Sequence, residues 1–443
     1  MPTKFASGID REKVAELSSL KGEPAWMREK RLHAYEIFCS AQLPKWGPSL
    51  EGIDFSKLTY FSSLFDGKGR EWSEVPDEIK ESFEKLGIPE AERKFLAGVE
   101  AQYDSTVIYD SIKKEWEKQG VILTDMDTAL KEHPDIVRKY FGTLIPPSSN
   151  KFAALNTAMW SGGAFVYVPK GVEVNMPLQA YFCISTMGLG QFERTLIVAE
   201  SGSSLTYIEG CTAPAYPTYS LHSGVVEIIA KQDAKVKYIT VQNWAKNVYN
   251  LVTKKAIAYD GAQIDWIDGN IGSKVTMKYP SIVLQGKRSS GRLLSIAYAG
   301  EGQCIDTGAK ISHIGEDTSS EVVSKSISQG NGCANYRALI TSSESAARSK
   351  CIVNCSSLLV CPESSAATYP KIAVGGNIEL RHEATIGAIE EEKIHYLMSR
   401  GLGRGAAQKL LVLGFADDFI AELPFEYAIE FNRLLQTDIG GEP

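Results

Sequence analysis

From about residue 163 to residue 386 the chain is a succession of short β-branched runs separated by Gly, Asp, Asn and Ser. AFVYV at 164, RTLIVA at 194, VVEIIA at 225, KVKYITVQNW at 235 and LLSIAYA at 293 are examples. Each has strand length and strand composition. No helical stretch of ten or more residues intervenes, which disfavours a doubly wound α/β sheet. A small or acidic turn recurs before the runs, at Ser201-Gly202, Gln232-Asp233, Asp260-Gly261, Glu301-Gly302 and Asn331-Gly332. The spacing is irregular, and the pattern fits a β-solenoid, a sandwich or a propeller. The solenoid is preferred because the segments resemble one another and hairpin-type Asp-Gly or Asn-Gly pairs are few.

Helical texture flanks this region. Residues 1–150 read as a mostly helical domain, with helices expected at Pro24–Phe38, Pro76–Gly87, Asp110–Gly120 and Asp127–Phe141. The stretch Trp46–Trp72 is turn-rich, and Pro146-Pro147-Ser148-Ser149-Asn150 marks a boundary. Residues 151–388 form the β core. Residues 389–443 return to helix at Glu390–Arg400, Gly405–Glu422 and Pro424–Gln436. Such an appendage packs on the β body or docks a partner.

Several functional classes are disfavoured. A net charge of −7 over 443 residues lacks the basic footprint of a nucleic-acid binder. No apolar run is long enough to span a membrane. The first residues, MPTKFASGIDREKVAEL, fit neither a secretory signal nor a transit peptide, so a cytoplasmic protein is expected. No Walker A motif occurs, and Gly401-Leu-Gly-Arg-Gly405 lies between expected helices, so no nucleotide is expected to bind this chain. No Gly-x-Ser-x-Gly is present. Asp265 and Asp268 fall on opposite faces of a strand, a poor acid/base pair.

The eight cysteines include no Cys-x-x-Cys and are expected to be reduced. Cys211, in Glu209-Gly-Cys-Thr-Ala-Pro214, lies where a strand is expected to run into a loop, a junction at which a thiol is more reachable than in a strand centre; the residues by themselves favour a half-buried structural cysteine. Cys351 and Cys355 share one strand face, and Cys361 precedes Pro362 at a strand end. Thiolates at such ends can ligate iron; small buried hydrophobes are the alternative. Alternation places His382 on the apolar face of its strand as a buried, satisfied histidine. Glu383 is expected on the polar face, pairing with Arg381.

Gly190-Gln-Phe-Glu-Arg-Thr195, Tyr207-Ile-Glu-Gly-Cys-Thr-Ala-Pro214, Val236–Trp244, His382-Glu-Ala-Thr385 and Glu422-Leu-Pro-Phe-Glu-Tyr-Ala428 resemble the SufB/SufD family of the SUF iron–sulfur cluster assembly system, and its SufB-type scaffolds in particular. Tyr103–Val107 and Ala153–Trp160 extend the likeness, which runs from about residue 20 to the end. The resemblance implies a mainly β protein: a right-handed parallel β-helix core with helical N- and C-terminal regions. It implies a non-enzymatic scaffold on which a transient iron–sulfur cluster is assembled. The implied partners are a SufC ATPase docked on the C-terminal helices, a SufD subunit or second copy of this chain, a cysteine desulfurase with its sulfur-transfer proteins, and apo acceptor or carrier proteins. Cys211 matches the family's proposed sulfur acceptor. Gln242, Trp244 and Lys254 match a proposed sulfur path, and His382 and Glu383 match residues implicated near the cluster. Ser364 stands where many members carry a candidate ligand cysteine, which leaves Cys361 as the nearest thiol. A SufD-like member without a cluster is the alternative; the setting of Cys211 favours the scaffold.

Overall fold

The computed structural model describes residues 3–63, 98–213, 216–375, 378–423 and 425–440. The β-branched runs form strands that alternate between two long parallel sheets, making a β-solenoid of about eight turns. In the first sheet Ser204 pairs with Lys235, Lys235 with Gln263, Gln263 with Ser290, Ser290 with Ser319 and Ser319 with Lys350. Successive coils therefore take 27 to 31 residues, and each stacks in register on the last. The recurring turns stack as well. Gly261 has φ +68°, and a Cβ there would lie 2.1 Å from Asp233 Oδ1 in the turn of the previous coil. Only glycine meets both demands. The irregular repeat thus reflects coils of unequal length built around one corner.

The core lies between the sheets and is filled by alternate residues: Leu205, Tyr207, Val236, Tyr238, Ile264 and Trp266 from one sheet, Val226, Ile228, Ala256 and Ile282 from the other. The opposite parity of the first sheet faces the C-terminal helices Arg404–Ile420 and Phe425–Gly440. There Val412, Phe419 and Phe431 pack on Ile239, Ile267, Leu294 and Ile296. Gly269 makes room for them, since a Cβ would come within 2.9 Å of Phe419 and 3.0 Å of Phe431. Burying each aromatic ring contributes about 1.5–3 kcal/mol, so these helices are part of the body. The opposite side of this appendage leaves Tyr396, Met398, Leu402, Leu410 and Ile429 exposed.

The N-terminal region departs from its expected helicity. The helices Arg11–Leu20 and Ala25–Ser40 form, the second entered through Pro24. The expected helix 110–120 is mostly absent: the strand Thr106–Ile112 runs into it and only Lys114–Glu117 is helical. Together with Gly98–Tyr103 this strand extends the first sheet, and Ile122–Asp125 extends the second. Free sheet edges outcompete helix propensity here. The expected helix 127–141 is two, Met126–Glu132 and Pro134–Tyr140, because Pro134 has no N–H to continue the first. The helix expected at 76–87 lies outside the described residues. Arg31 ties this region down; it is fully buried, holds Glu23 at 2.6 and 2.7 Å, and donates to the carbonyls of Ala158 and Trp160.

The far end of the solenoid is uncovered. Most residues of Ser365–Val374 and Ile378–Ala388 are exposed, including Tyr369, Ile372, Val374 and Ile386.

Candidate functional site

The interior of the solenoid is not uniformly apolar. Parity that sends Tyr207 inward also sends Glu209 and Cys211 inward, and stacking aligns them with the next coils. Cys211 pairs with Gln242 and Gln242 with Asn270; Glu209 pairs with Thr240 and Thr240 with Asp268. The second sheet answers with His222, Asn250, Lys254 and Lys278, each buried. Burying this many polar groups is tolerable only when they satisfy one another, and here they form one connected network.

The Cys211 thiol donates to Glu209 Oε1 at 3.7 Å, and Gln242 Nε2 donates to Cys211 Sγ at 3.9 Å. Gln242 Oε1 accepts from Asn250 Nδ2 at 2.7 Å and Lys278 Nζ at 3.1 Å. Two donors on the oxygen fix the amide so that its N–H2 group faces the sulfur. Glu209 accepts from Tyr238 Oη at 2.6 Å and Lys254 Nζ at 3.2 Å, and Lys254 also donates to Tyr238 at 3.0 Å. Lys278 pairs with Asp268 at 2.8 Å. Beyond Asn250 the network continues through His222 Nδ1 at 2.7 Å and from His222 Nε2 to Glu193 at 2.5 Å.

Burial pushes the Cys211 thiol well above its usual range; Glu209 and Glu193 push it further, against the smaller opposing pull of Lys254 and Lys278. Burial likewise lowers Lys278 to about 8, although Asp268 opposes it. The resting thiol is therefore neutral, beside two amines that gain most when a negative sulfur species forms.

The structure brings together the residues of the expected sulfur path. Trp244 packs its ring centroid 4.5 Å from that of His222 in a tilted contact, and its indole N–H is buried with no hydrogen-bond partner among the described residues. Cys211 itself corrects its expected setting: it lies within the strand Ser204–Ala213, 3% exposed, and not at a reachable junction. The alternation that buries it also brings in Glu209, Tyr238 and Asp268, and the facing sheet adds Asn250 and Lys278, none of which sequence reasoning placed at the site. Glu209 was legible from its two-residue spacing to Cys211; Lys278 was not, because only stacking places it opposite, and Lys254 entered through the family resemblance alone. Asp268 faces inward and Asp265 outward, as alternation requires.

The candidate ligands lie elsewhere. His382 and Glu383 sit on the last strand, paired with Val353 and Asn354. His382 is half-exposed, not buried, and among the described residues its Nε2 lacks a hydrogen-bond partner and no further coil covers it. Glu383 is exposed, and Arg381 pairs with Glu379 at 2.9 Å instead. Cys361 lies beyond Leu359, the partner of Ala388, so it is about 20 Å along the strand direction from His382. Its N–H donates to Ser364 Oγ at 3.2 Å. Among the described residues no three His, Cys, Asp or Glu side chains converge as a metal site. Cys351 and Cys355 face inward and are buried, whereas Cys304 and Cys333 face outward in register.

A stacked parallel solenoid with helical ends and a buried thiol in a polar core defines a narrow class. The chain belongs to the SufBD family of the SUF iron–sulfur cluster assembly system: residues 182–415 match the SufBD core domain and residues 74–180 the SufBD N-terminal region. It is 49% identical over 435 residues to the iron–sulfur cluster assembly protein SufB of Bacillus subtilis, covering 98% of this chain and 94% of that one. SufBD family proteins of Staphylococcus epidermidis and Staphylococcus saprophyticus are 49% and 48% identical, with the same coverage. Among the described residues no helix is long and apolar enough to cross a membrane.

Proposed function

We propose that this chain is a SufB-type scaffold that accepts sulfane sulfur at Cys211 and assembles an iron–sulfur cluster as its cargo. The observation that carries this reading is the Cys211 thiol held between the Glu209 carboxylate and the Gln242 amide, with Lys254 and Lys278 one contact further away. Glu209 takes the thiol proton, and the Cys211 sulfur attacks the sulfane sulfur of a donor persulfide. The donor persulfide anion's S–S bond breaks, the donor sulfur takes the proton from Glu209 and leaves as its thiol, and Cys211 carries the persulfide anion. Gln242, Trp244, Lys254 and Lys278 supply hydrogen bonds and positive charge to that anion.

The uncovered solenoid end carries His382 and Glu383, and a SufD-type subunit or second copy placed there would add ligands beside them. Such sharing suits residues that one chain leaves separate, with Cys361 the more remote candidate. The exposed apolar side of the C-terminal helices suits a SufC-type ATPase, which supplies the nucleotide chemistry. A cysteine desulfurase with its sulfur carriers is the source of sulfur, and apo-proteins or carriers receive the cluster in the cytoplasm.

Anaerobic incubation with ferrous iron, cysteine, desulfurase, ATPase, ATP and a thiol reductant that converts sulfane sulfur to sulfide is expected to produce a sulfur-to-iron charge-transfer band. In Cys211→Ser the band and the protein-bound sulfane sulfur are lost together. Undiminished sulfur loading in that variant would overturn the assignment.

A further inference from the structure

The strands Ser204–Ala213, Lys235–Trp244 and Gln263–Gly272 end side by side, and the chain beyond them lines one groove of about 800 Å³. Lys246 and Lys274 enter it from the second and third strand ends, and Lys4 and Lys57 from the N-terminal region. Lys57 is mostly exposed and meets Asp54 at 3.3 Å; Lys4, Lys246 and Lys274 have no carboxylate partner among the described residues. Glu301 is the one acidic residue in the lining, on a chain whose net charge is −7. The groove is thus a positive concavity on an acidic molecule.

It is also joined to the Cys211 layer. Cys211 and Gln242 each lie two residues before their strand ends, about 7 Å along the strand. Asn247 Nδ2 donates to the carbonyls of Tyr216, at 3.0 Å, and Thr218, at 2.5 Å. The segment after Cys211 is thereby tied to the segment after Gln242. The outer face of the Cys211 strand is covered at Gly210 by Tyr181 and Tyr427. A carrier therefore reaches this layer from the strand end.

We infer that the groove docks an acidic, cysteine-bearing segment of the protein that delivers sulfur to Cys211. This rests on Cys211 being the sulfur acceptor. The lysines attract carboxylates of the donor and speed its encounter, and the docked segment presents its persulfide at the strand end.

The test uses the full chain, a persulfide-loaded cysteine desulfurase preparation and, separately, a small alkyl persulfide that needs no docking. Sulfur on Cys211 is followed by mass spectrometry. Lys246→Glu/Lys274→Glu is expected to slow loading from the protein donor on the order of ten-fold at low salt, and to leave loading from the small donor unchanged. Raising salt should slow the wild type and spare the variant. Lys246→Met/Lys274→Met, which adds no negative charge, should fall between. Unchanged loading from the protein donor in the charge-reversed variant overturns the inference, as does equal slowing with both donors, which would place the lysines' effect on the thiol itself. A wild-type Cys211 that takes sulfur from neither donor overturns the acceptor assignment on which the inference rests.

Discussion

Lys278 Nζ, 3.1 Å from Gln242 Oε1, holds that amide with its N–H2 group toward the sulfur of Cys211. The ammonium therefore acts on the thiol through an intermediate dipole, and the amide supplies the hydrogen bond that strengthens as the sulfur becomes anionic. Gln242→Leu keeps the approximate volume and removes the donor. Persulfide formation on Cys211 is expected to slow on the order of a hundred-fold, the effect of deleting one preorganised donor. Rates measured by mass spectrometry with a small persulfide check this; a rate within twofold of wild type would remove Gln242 from the mechanism.

Glu227 anchors the N-terminal region to the solenoid. Its carboxylate is fully buried, meets Arg194 at 2.7 Å, and accepts from the backbone N–H groups of Gly142, Leu144 and Ile145. Glu227→Ala leaves Arg194 charged, buried and unpaired, at a cost of about 3–5 kcal/mol. Urea denaturation should show a lowered midpoint. Arg194→Met/Glu227→Leu is expected to recover part of the loss, because a matched apolar pair leaves no buried charge.

The β texture, the recurring turns and the three C-terminal helices, Glu391–Ser399, Arg404–Ile420 and Phe425–Gly440, were legible because local composition and tertiary structure agree there. The strand Thr106–Ile112 was not, since its β conformation depends on pairing with Gly98–Tyr103 at the end of the sheet. The site divides in the same way. Glu209, Tyr207 and Cys211 share a face by simple alternation. Lys254 and Lys278 meet that face only because the turns set where the second sheet begins, and no periodicity encodes that. His382 failed for the reverse reason. Alternation put it on the inner face correctly, but the last coil has no neighbour to bury it.

The open end should self-associate or bind a second solenoid. Ile372 and Ile386 are exposed at 43% and 46% beside strands with free edges, an arrangement that invites edge pairing. Ile372→Lys/Ile386→Lys places charge on both sheets at that end. Sedimentation should show the assembly formed by the wild type, with itself or with a SufD-type partner, shifting to monomer, while Cys211 still loads from a small persulfide. An unchanged assembly would locate the interface elsewhere.

Thiol reactivity should run opposite to proposed function. Cys333 lies in register with Cys304 on the outer face of the second sheet, and the hydrogen bond from Cys304 lowers it to about 6. Such a thiol holds more thiolate at pH 7 than the few per cent of an ordinary cysteine. The pH midpoint of iodoacetamide labelling at Cys333 should therefore lie below that of an ordinary cysteine. Cys304→Ala removes the donor and should move that midpoint up toward about 8.5. Cys211, whose thiol burial, Glu209 and Glu193 hold neutral, should label far more slowly than Cys333 across the same range. Peptide mapping across pH 5 to about 9 resolves the two sites. Labelling of Cys211 ahead of Cys333 in the folded chain would mean that the polar core does not hold its thiol neutral.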